Sequence, residues 1–207
     1  MVLKPRRSRD LRRELIDKAV QLIAKHGLDN LSLRELARKT GVTHQAPYRH
    51  FPTRADLLVA IALEGYEILR QKQLAVVAEP LSPGDDETVI PKRLLLCYAR
   101  FALQHTPYYR VMYSADVGER KDRSPLLEAV RDTFQPIVEA IGTIRRRRGQ
   151  EQLPSDYDVA LSCWMLAHGT TLLYLDKHLH QQRGQMSLEE LIIHLVRALR
   201  VGLPIGL

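Results

Sequence analysis

Apolar residues recur along this chain at the three- and four-residue spacing of a helix face, and no segment keeps the two-residue alternation of a strand. Leu15, Ala19, Leu22 and Ile23 form the first such face, which Gly27 terminates. Ser32 followed by Glu35 is a capping-box pattern that opens a short helix over Leu33–Thr40, with Gly41 as its stop. Thr43 caps a third helix over His44–His50. Thr53 with Asp56 opens a long fourth helix in which Leu58, Ile61, Ala62, Gly65 and Leu69 share a face. The prolines, glycine and acids of residues 79–88 make a loop. Beyond it a helix is predicted from about Pro91 to His105, and two more start at Thr106-Pro107 and Ser124-Pro125, where a capping residue precedes a proline. Ser155 with Asp158 and Ser187 with Glu190 open the last two. The pattern therefore predicts an all-α fold of about nine helices joined by short links.

The pair of short helices around Gly41-Val42-Thr43 has helix-turn-helix spacing. Gly41 supplies the positive φ of the tight turn, and Val42 fills the gap between the helices. Leu33, Leu36, Ala37, Val42 and Ala46 then pack against the first helix, which leaves His44, Gln45, Tyr48 and Arg49 outward. A major groove admits one helix, whose N-terminal side chains meet base edges. Gln45 suits adenine, His44 suits guanine N7 or a phosphate, and Tyr48 offers a ring for a thymine methyl and a hydroxyl for a phosphate. The helix starts at Ser32 and Arg54 aim backbone N–H groups outward, as phosphates require. Each residue also has a plainer reading: His44 and Gln45 fit a solvated face, His50 a packed capping histidine, and Phe51 the core.

Charge sharpens the picture. Residues 1–60 hold 13 Lys or Arg against 6 Asp or Glu, so the whole net charge of +7 lies there, and residues 61–207 balance at 18 against 18. A basic segment joined to a neutral one is the footprint of a polyanion-binding head on a body with another task. The leading Lys4, Arg6, Arg7 and Arg9 suit either a reach into a minor groove or a solvated tail.

Residues 11–66, from the first helix through Tyr48-Arg49-His50-Phe51 into a charged helix start, resemble the DNA-binding domain of the TetR family of bacterial repressors. The resemblance implies phosphate contacts from Ser32, Thr43, Tyr48, His50 and the residue opening the fourth helix. It also implies base contacts from Thr43 to Gln45 and from Tyr48. Arg54 stands where Lys is common, and the charge survives.

The expected division is an arm and helix-turn-helix domain over 1–52 and a ligand-binding and dimerisation domain over 53–207, with the helix 54–78 connecting them. Val159–Leu175 is apolar but only 17 residues long, holds His168, and is bounded by Asp158 and Asp176, so it reads as a buried helix rather than a membrane span. The final stripe of Leu188, Leu191, Ile192, Leu195 and Leu199 is the expected homodimer interface, two such helices per protomer making a four-helix bundle across a twofold axis. Trp164, His168 and Gly169 are similar to the Trp…His-Gly pattern of one group of TetR C-terminal domains. That likeness implies an inducer cavity walled by Tyr66, Tyr98, Phe101, Tyr109, Met112, Tyr113, Trp164, Met165, His168 and Leu172. Aromatic and Met side chains at helical spacing are more often ordinary core than ligand wall.

Cys97 and Cys163 make neither a disulfide framework nor a zinc spacing, which suits a cytoplasmic setting. The N-terminus lacks the apolar stretch of a signal peptide. His178, His180 and His194 have no partner at metal-ligand spacing, and no catalytic set or cofactor motif is present, so no enzyme, metal or cofactor is expected. The Arg145–Arg148 run reads as a solvated helix end favoured by the dipole. The expected function is a repressor bound to a pseudo-palindromic operator and released by a small-molecule effector. The alternative is a DNA-binding dimer without small-molecule input, its body serving dimerisation or a protein partner.

Overall fold

In a computed structural model the described residues are 8–85, 89–119, 124–150, 154–179 and 186–202, all helical or in connecting turns, with no strand among them. The helices are α1 (Ser8–His26), α2 (Leu33–Thr40), α3 (Arg54–Ala78), α4 (Val89–Gln104), α5 (Thr106–Met112), α6 (Ala115–Gly118), α7 (Ser124–Arg147), α8 (Asp156–Leu175) and α9 (Leu188–Gly202). A 3-10 turn, Pro47–Arg49, lies between α2 and α3.

Local chemistry accounts for most boundaries. Gly27 at φ 81° and Gly41 at φ 72° stop α1 and α2 in the left-handed region that residues with a side chain rarely adopt. Ser32 Oγ accepts from Glu35 N at 3.1 Å, while the Glu35 carboxylate turns to Arg38 at 3.5 Å. Full reciprocal boxes form at Ser155/Asp158 and Ser187/Glu190. The short α6 has no counterpart in the sequence pattern, being four residues without a capping bond from Ser114.

The third helix expected over His44–His50 is replaced by turns and the Pro47–Arg49 3-10 segment. Pro47 has no N–H to give to Thr43, so the Thr43 carbonyl accepts from Ala46 N instead, 3.0 Å away and one residue nearer.

The chain forms two compact units. One takes the described residues within Met1–Glu67 and His105–Ala129, the other those within Ile68–Gln104 and Val130–Leu207. The first unit thus gathers α5 and α6 to the head helices, across the linear boundary at 52/53. Its interior holds Leu15, Ala19, Leu36, Phe51, Leu57, Leu58, Ile61, Tyr109 and Met112. Gly65 lies against α5, where a Cβ would come within 2.7 Å of Met112 Sδ and 3.2 Å of Tyr108 Cβ. Tyr108 Oη donates to Glu64 at 2.9 Å, and Arg13 reaches the same carboxylate oxygen at 2.9 Å, so one acid joins α1, α3 and α5.

In the second unit α4, α8 and α9 pack on one another. Arg100 grips Glu189 with two bonds of 2.9 and 2.7 Å, fastening α9 to α4. Arg145, expected in a solvated run, is buried: it donates to Gln150 O at 3.0 Å and to Asp156 at 2.7 Å, tying the end of α7 to the start of α8. Arg146, Arg147 and Arg148 are exposed. Gly142 leaves room for this clamp, since a Cβ there would meet Asp156 Oδ2 at 2.6 Å. No helix among the described residues is long and apolar enough to cross a membrane.

Burial and the bond to Glu64 push the Tyr108 phenol up to about 12 from an ordinary 10. The folded form then holds the proton more tightly than the unfolded chain does. Its contribution is complete below pH 10 and is lost as pH climbs towards 12. Tyr108→Phe should therefore lose less thermal stability than the parent protein across that window, measured by unfolding at stepped pH. Equal losses in both would refute the assignment.

Candidate nucleic-acid interface

The outward surface of the first unit begins at Ser32, whose exposed hydroxyl caps α2, and continues over Thr43, His44, Gln45, Tyr48 and Arg49, all exposed. All but Ser32 stand on the turn that follows Gly41. Beneath it, Pro47 is buried, and Phe51 is 2% exposed with its N–H donating to Pro47 O at 2.9 Å. Arg12 of α1 lies over the Phe51 ring, 5.2 Å from its centroid. The tight 3-10 geometry turns Pro47 inward and leaves Tyr48 and Arg49 facing water.

Gln45 Nε2 lies 3.2 Å from His44 Nε2, a hydrogen bond that holds in the imidazole tautomer protonated at Nδ1. Tyr48 is 43% exposed. His50 is half-buried with its ring 6.4 Å from that of Phe51, so it borders the surface and the interior. An open concavity of about 640 Å³ runs alongside, bounded by Ser32, Arg34, Glu35, Arg38, Val42 and His44. Arg34, Arg38 and Lys39 add positive charge on the same helix. Lys4, Arg6 and Arg7 lie outside the described residues, and of Arg9 only the backbone, in α1, is described.

Arg54 differs from the others. Its Nε donates to Leu31 O at 3.0 Å, one terminal nitrogen to Leu28 O at 2.9 Å, and the other to Asp116 Oδ2 at 2.9 Å. The side chain is turned into its own unit. Sequence spacing carries no signal for this, because Asp116 lies 62 residues away on a four-residue helix.

The side chains expected to wall an effector cavity divide between the units. Tyr66, Tyr109, Met112 and Tyr113 are in the first, where Tyr66 Oη donates to Met112 O at 3.4 Å and Tyr109 and Tyr113 pair with centroids 5.0 Å apart. Burial pushes the Tyr66 phenol far above its ordinary range. The second unit holds Tyr98, Phe101, Trp164, Met165, His168 and Leu172. There Tyr98 Oη and His168 Nδ1 are 2.7 Å apart, and His168 stacks on Trp164 at 5.0 Å with an interplanar angle of 17°. Phe134 meets Trp164 and Tyr157 edge-on; neither Phe134 nor Tyr157 stands out in the sequence pattern. Met165 at 53% and Leu172 at 37% are exposed, on the outer side of α8.

Of the stripe expected at a dimer interface, Leu188, Leu191 and Ile192 are at most 4% exposed in the protomer alone, spent on the packing of α9 with α4 and α8. Leu195 is half-buried, and the side chain of Leu199 lies outside the described residues. Burial pushes the thiols of both Cys97 and Cys163 up. Among the described residues no cluster of three or more His, Cys, Asp or Glu could hold a metal ion.

Residues 15–61 match the profile of bacterial regulatory proteins of the tetR family, and residues 92–199 match that of tetracyclin repressor-like C-terminal domains. A helix-turn-helix-type transcriptional regulator of Mycobacterium tuberculosis is 26% identical over 188 residues, 89% of this chain and 73% of that protein. A solved structure of a Rhodococcus sp. RHA1 protein of unknown function is 27% identical, with a TM-score of 0.76 over 97% of this chain and 98% of that one. The TetR family transcriptional regulator PfmR from Thermus thermophilus, 15% identical, shares the fold at a TM-score of 0.64 over 89% of this chain and 95% of that one.

Proposed function

Because the chain belongs to the TetR family of DNA-binding transcriptional regulators, we propose that it is a homodimeric cytoplasmic repressor, seated on a pseudo-palindromic operator and released by a small-molecule effector. The observation that carries the operator reading is the exposure of Thr43, His44, Gln45, Tyr48 and Arg49 above a buried Pro47 and Phe51. Gln45 and His44 face base edges, Tyr48 takes a thymine methyl or a phosphate, and Ser32, Thr43 and His50 take phosphates.

A twofold partner places a second head about 34–36 Å away, on the next turn of the duplex. The face that suits it lies on α8, where Met165, Leu172 and Leu173 are exposed around Gly169. A Cβ on Gly169 would meet nothing of its own protomer within 4 Å, while glycine in mid-helix costs about 1 kcal/mol relative to alanine. Close approach by the same face of a second copy gives that glycine a purpose.

Support for an effector comes from buried polar atoms of the second unit. Thr171 Oγ1 and Gln73 Oε1 are buried and make no hydrogen bond among the described residues. Such orphans cost stability, and a bound molecule bearing donors would satisfy them. Thr171 follows Trp164 and His168 at helical spacing, so an apolar ring with a hydroxyl or amine suits this stripe.

Three outcomes are expected. Tyr48→Ala should keep its helical circular dichroism yet lose specific duplex binding, while the parent protein shows affinity falling steeply with salt; retained specificity would remove Tyr48 from the interface. Leu172→Glu should yield a folded monomer in sedimentation, whereas Leu191→Glu should lose cooperative unfolding; a dimeric Leu172→Glu would place the interface elsewhere. Trp164 is the single tryptophan of the chain, so a compound that releases DNA should shift its fluorescence. Release with unchanged emission would move the effector away from Trp164.

A further inference from the structure

The three bonds of Arg54 give it a task apart from phosphate contact. Leu28–Leu31 is the turn that joins α1 to α2; it is closed by Leu31 N donating to Leu28 O at 3.1 Å, and Asn30 Nδ2 reaches back to His26 O at 2.6 Å. Both carbonyls that Arg54 grips belong to this turn. The residue after it is Ser32, the cap of α2. At the other end, the guanidinium holds Asp116 of α6. We infer that Arg54 is a positioning residue for DNA recognition: anchored by Asp116, it fixes the 28–31 turn and thereby the direction in which α2 and the Thr43–Arg49 surface face the groove.

The chemistry favours this over a phosphate contact. Every nitrogen of the guanidinium already donates to a partner 2.9–3.0 Å away, and the side chain is only 30% exposed. A planar fork can hold two carbonyls and a carboxylate at once; a lysine ammonium on a flexible stem cannot match that geometry. An isolated, partly exposed ion pair contributes little. Here the pair sets the orientation of a fork whose other two nitrogens close a turn, so its loss acts through the turn. The inference rests on the assignment of the head as the DNA-reading surface.

The experiment uses the full-length protein, the duplex it enriches most strongly from a random-sequence pool, and a shuffled duplex of the same length. Arg54→Lys and Asp116→Ala should each weaken binding to the enriched duplex roughly tenfold while binding to the shuffled duplex is unchanged. Combining them should weaken it little further, because both remove the same strut. The dependence of log affinity on log salt should keep its slope. Amide exchange at Leu31 should quicken in Asp116→Ala. A phosphate contact behaves otherwise: Arg54→Lys binds as the parent does, Asp116→Ala is neutral or tighter, and Arg54→Ala lowers the slope by about 0.9. That pattern would overturn the proposal, as would additive losses in the double variant. Equal losses on both duplexes would mark a general folding defect and also overturn it. Asp116 is 41% exposed, so Asp116→Ala carries the test should Arg54→Ala fail to fold. If the parent enriches no sequence, the DNA assignment itself falls, and the proposal with it.

Discussion

A short turn without a full set of helical hydrogen bonds cannot hold five exposed side chains in register by itself. Between Thr43 and His50 the backbone makes i to i+3 bonds, and Pro47 removes one donor altogether. The turn keeps its shape because Pro47 and Phe51 are buried beneath it. Phe51 is in turn sandwiched between the helical core and the Arg12 guanidinium. Burying an aromatic ring of this size contributes about 1.5–3 kcal/mol, more than any hydrogen bond in the turn supplies. The exposed polar face is therefore a consequence of an apolar anchor, and the identity of the exposed residues is free to vary while the anchor stays.

Polar contacts then fasten that anchor to its surroundings. Glu64 accepts from both Arg13 and Tyr108, and Arg54 holds two carbonyls and Asp116. These bonds tie the head helices to α5, to α6 and to the turn before α2. The second unit repeats the device with different residues, Arg100 on Glu189 and Arg145 on Asp156. There, too, a guanidinium joins helices that are adjacent in space, with its carboxylate partner at the start of another helix.

The fold is legible in the sequence wherever the signal is local. Gly41, Ser32 and the Thr53–Asp56, Ser155–Asp158 and Ser187–Glu190 pairs bracket helices close to where they stand in the structure. The outward set His44, Gln45, Tyr48 and Arg49 is legible too, although the residues buried beneath it are Pro47 and Phe51, while Val42 and Ala46, expected inward, are only half-buried. The segment His44–His50 departs from the expected α-helix because apolar spacing takes no account of the donor that Pro47 lacks. Long-range pairings are beyond the reach of spacing: nothing near Arg54 announces Asp116, and nothing near Arg145 announces that it is buried. Periodicity marks the stripe of α9 as buried, but it cannot say whether a stripe is covered by its own protomer or by another. Leu188, Leu191 and Ile192 are covered by their own.

The chain enters the first compact unit twice, once up to Glu67 and again over His105–Ala129. A fragment cut after the long helix α3 would carry Ser32 and the exposed Thr43, His44, Gln45, Tyr48 and Arg49 yet lack Tyr108, Met112 and Asp116. Glu64 would lose one donor, Arg54 its anchor, and Gly65 the side chains it makes room for. The head is thus not a cassette that can be lifted out at a loop and grafted onto another body. Whatever recombination or engineering joins it to a new partner must bring the middle of the chain along with the beginning.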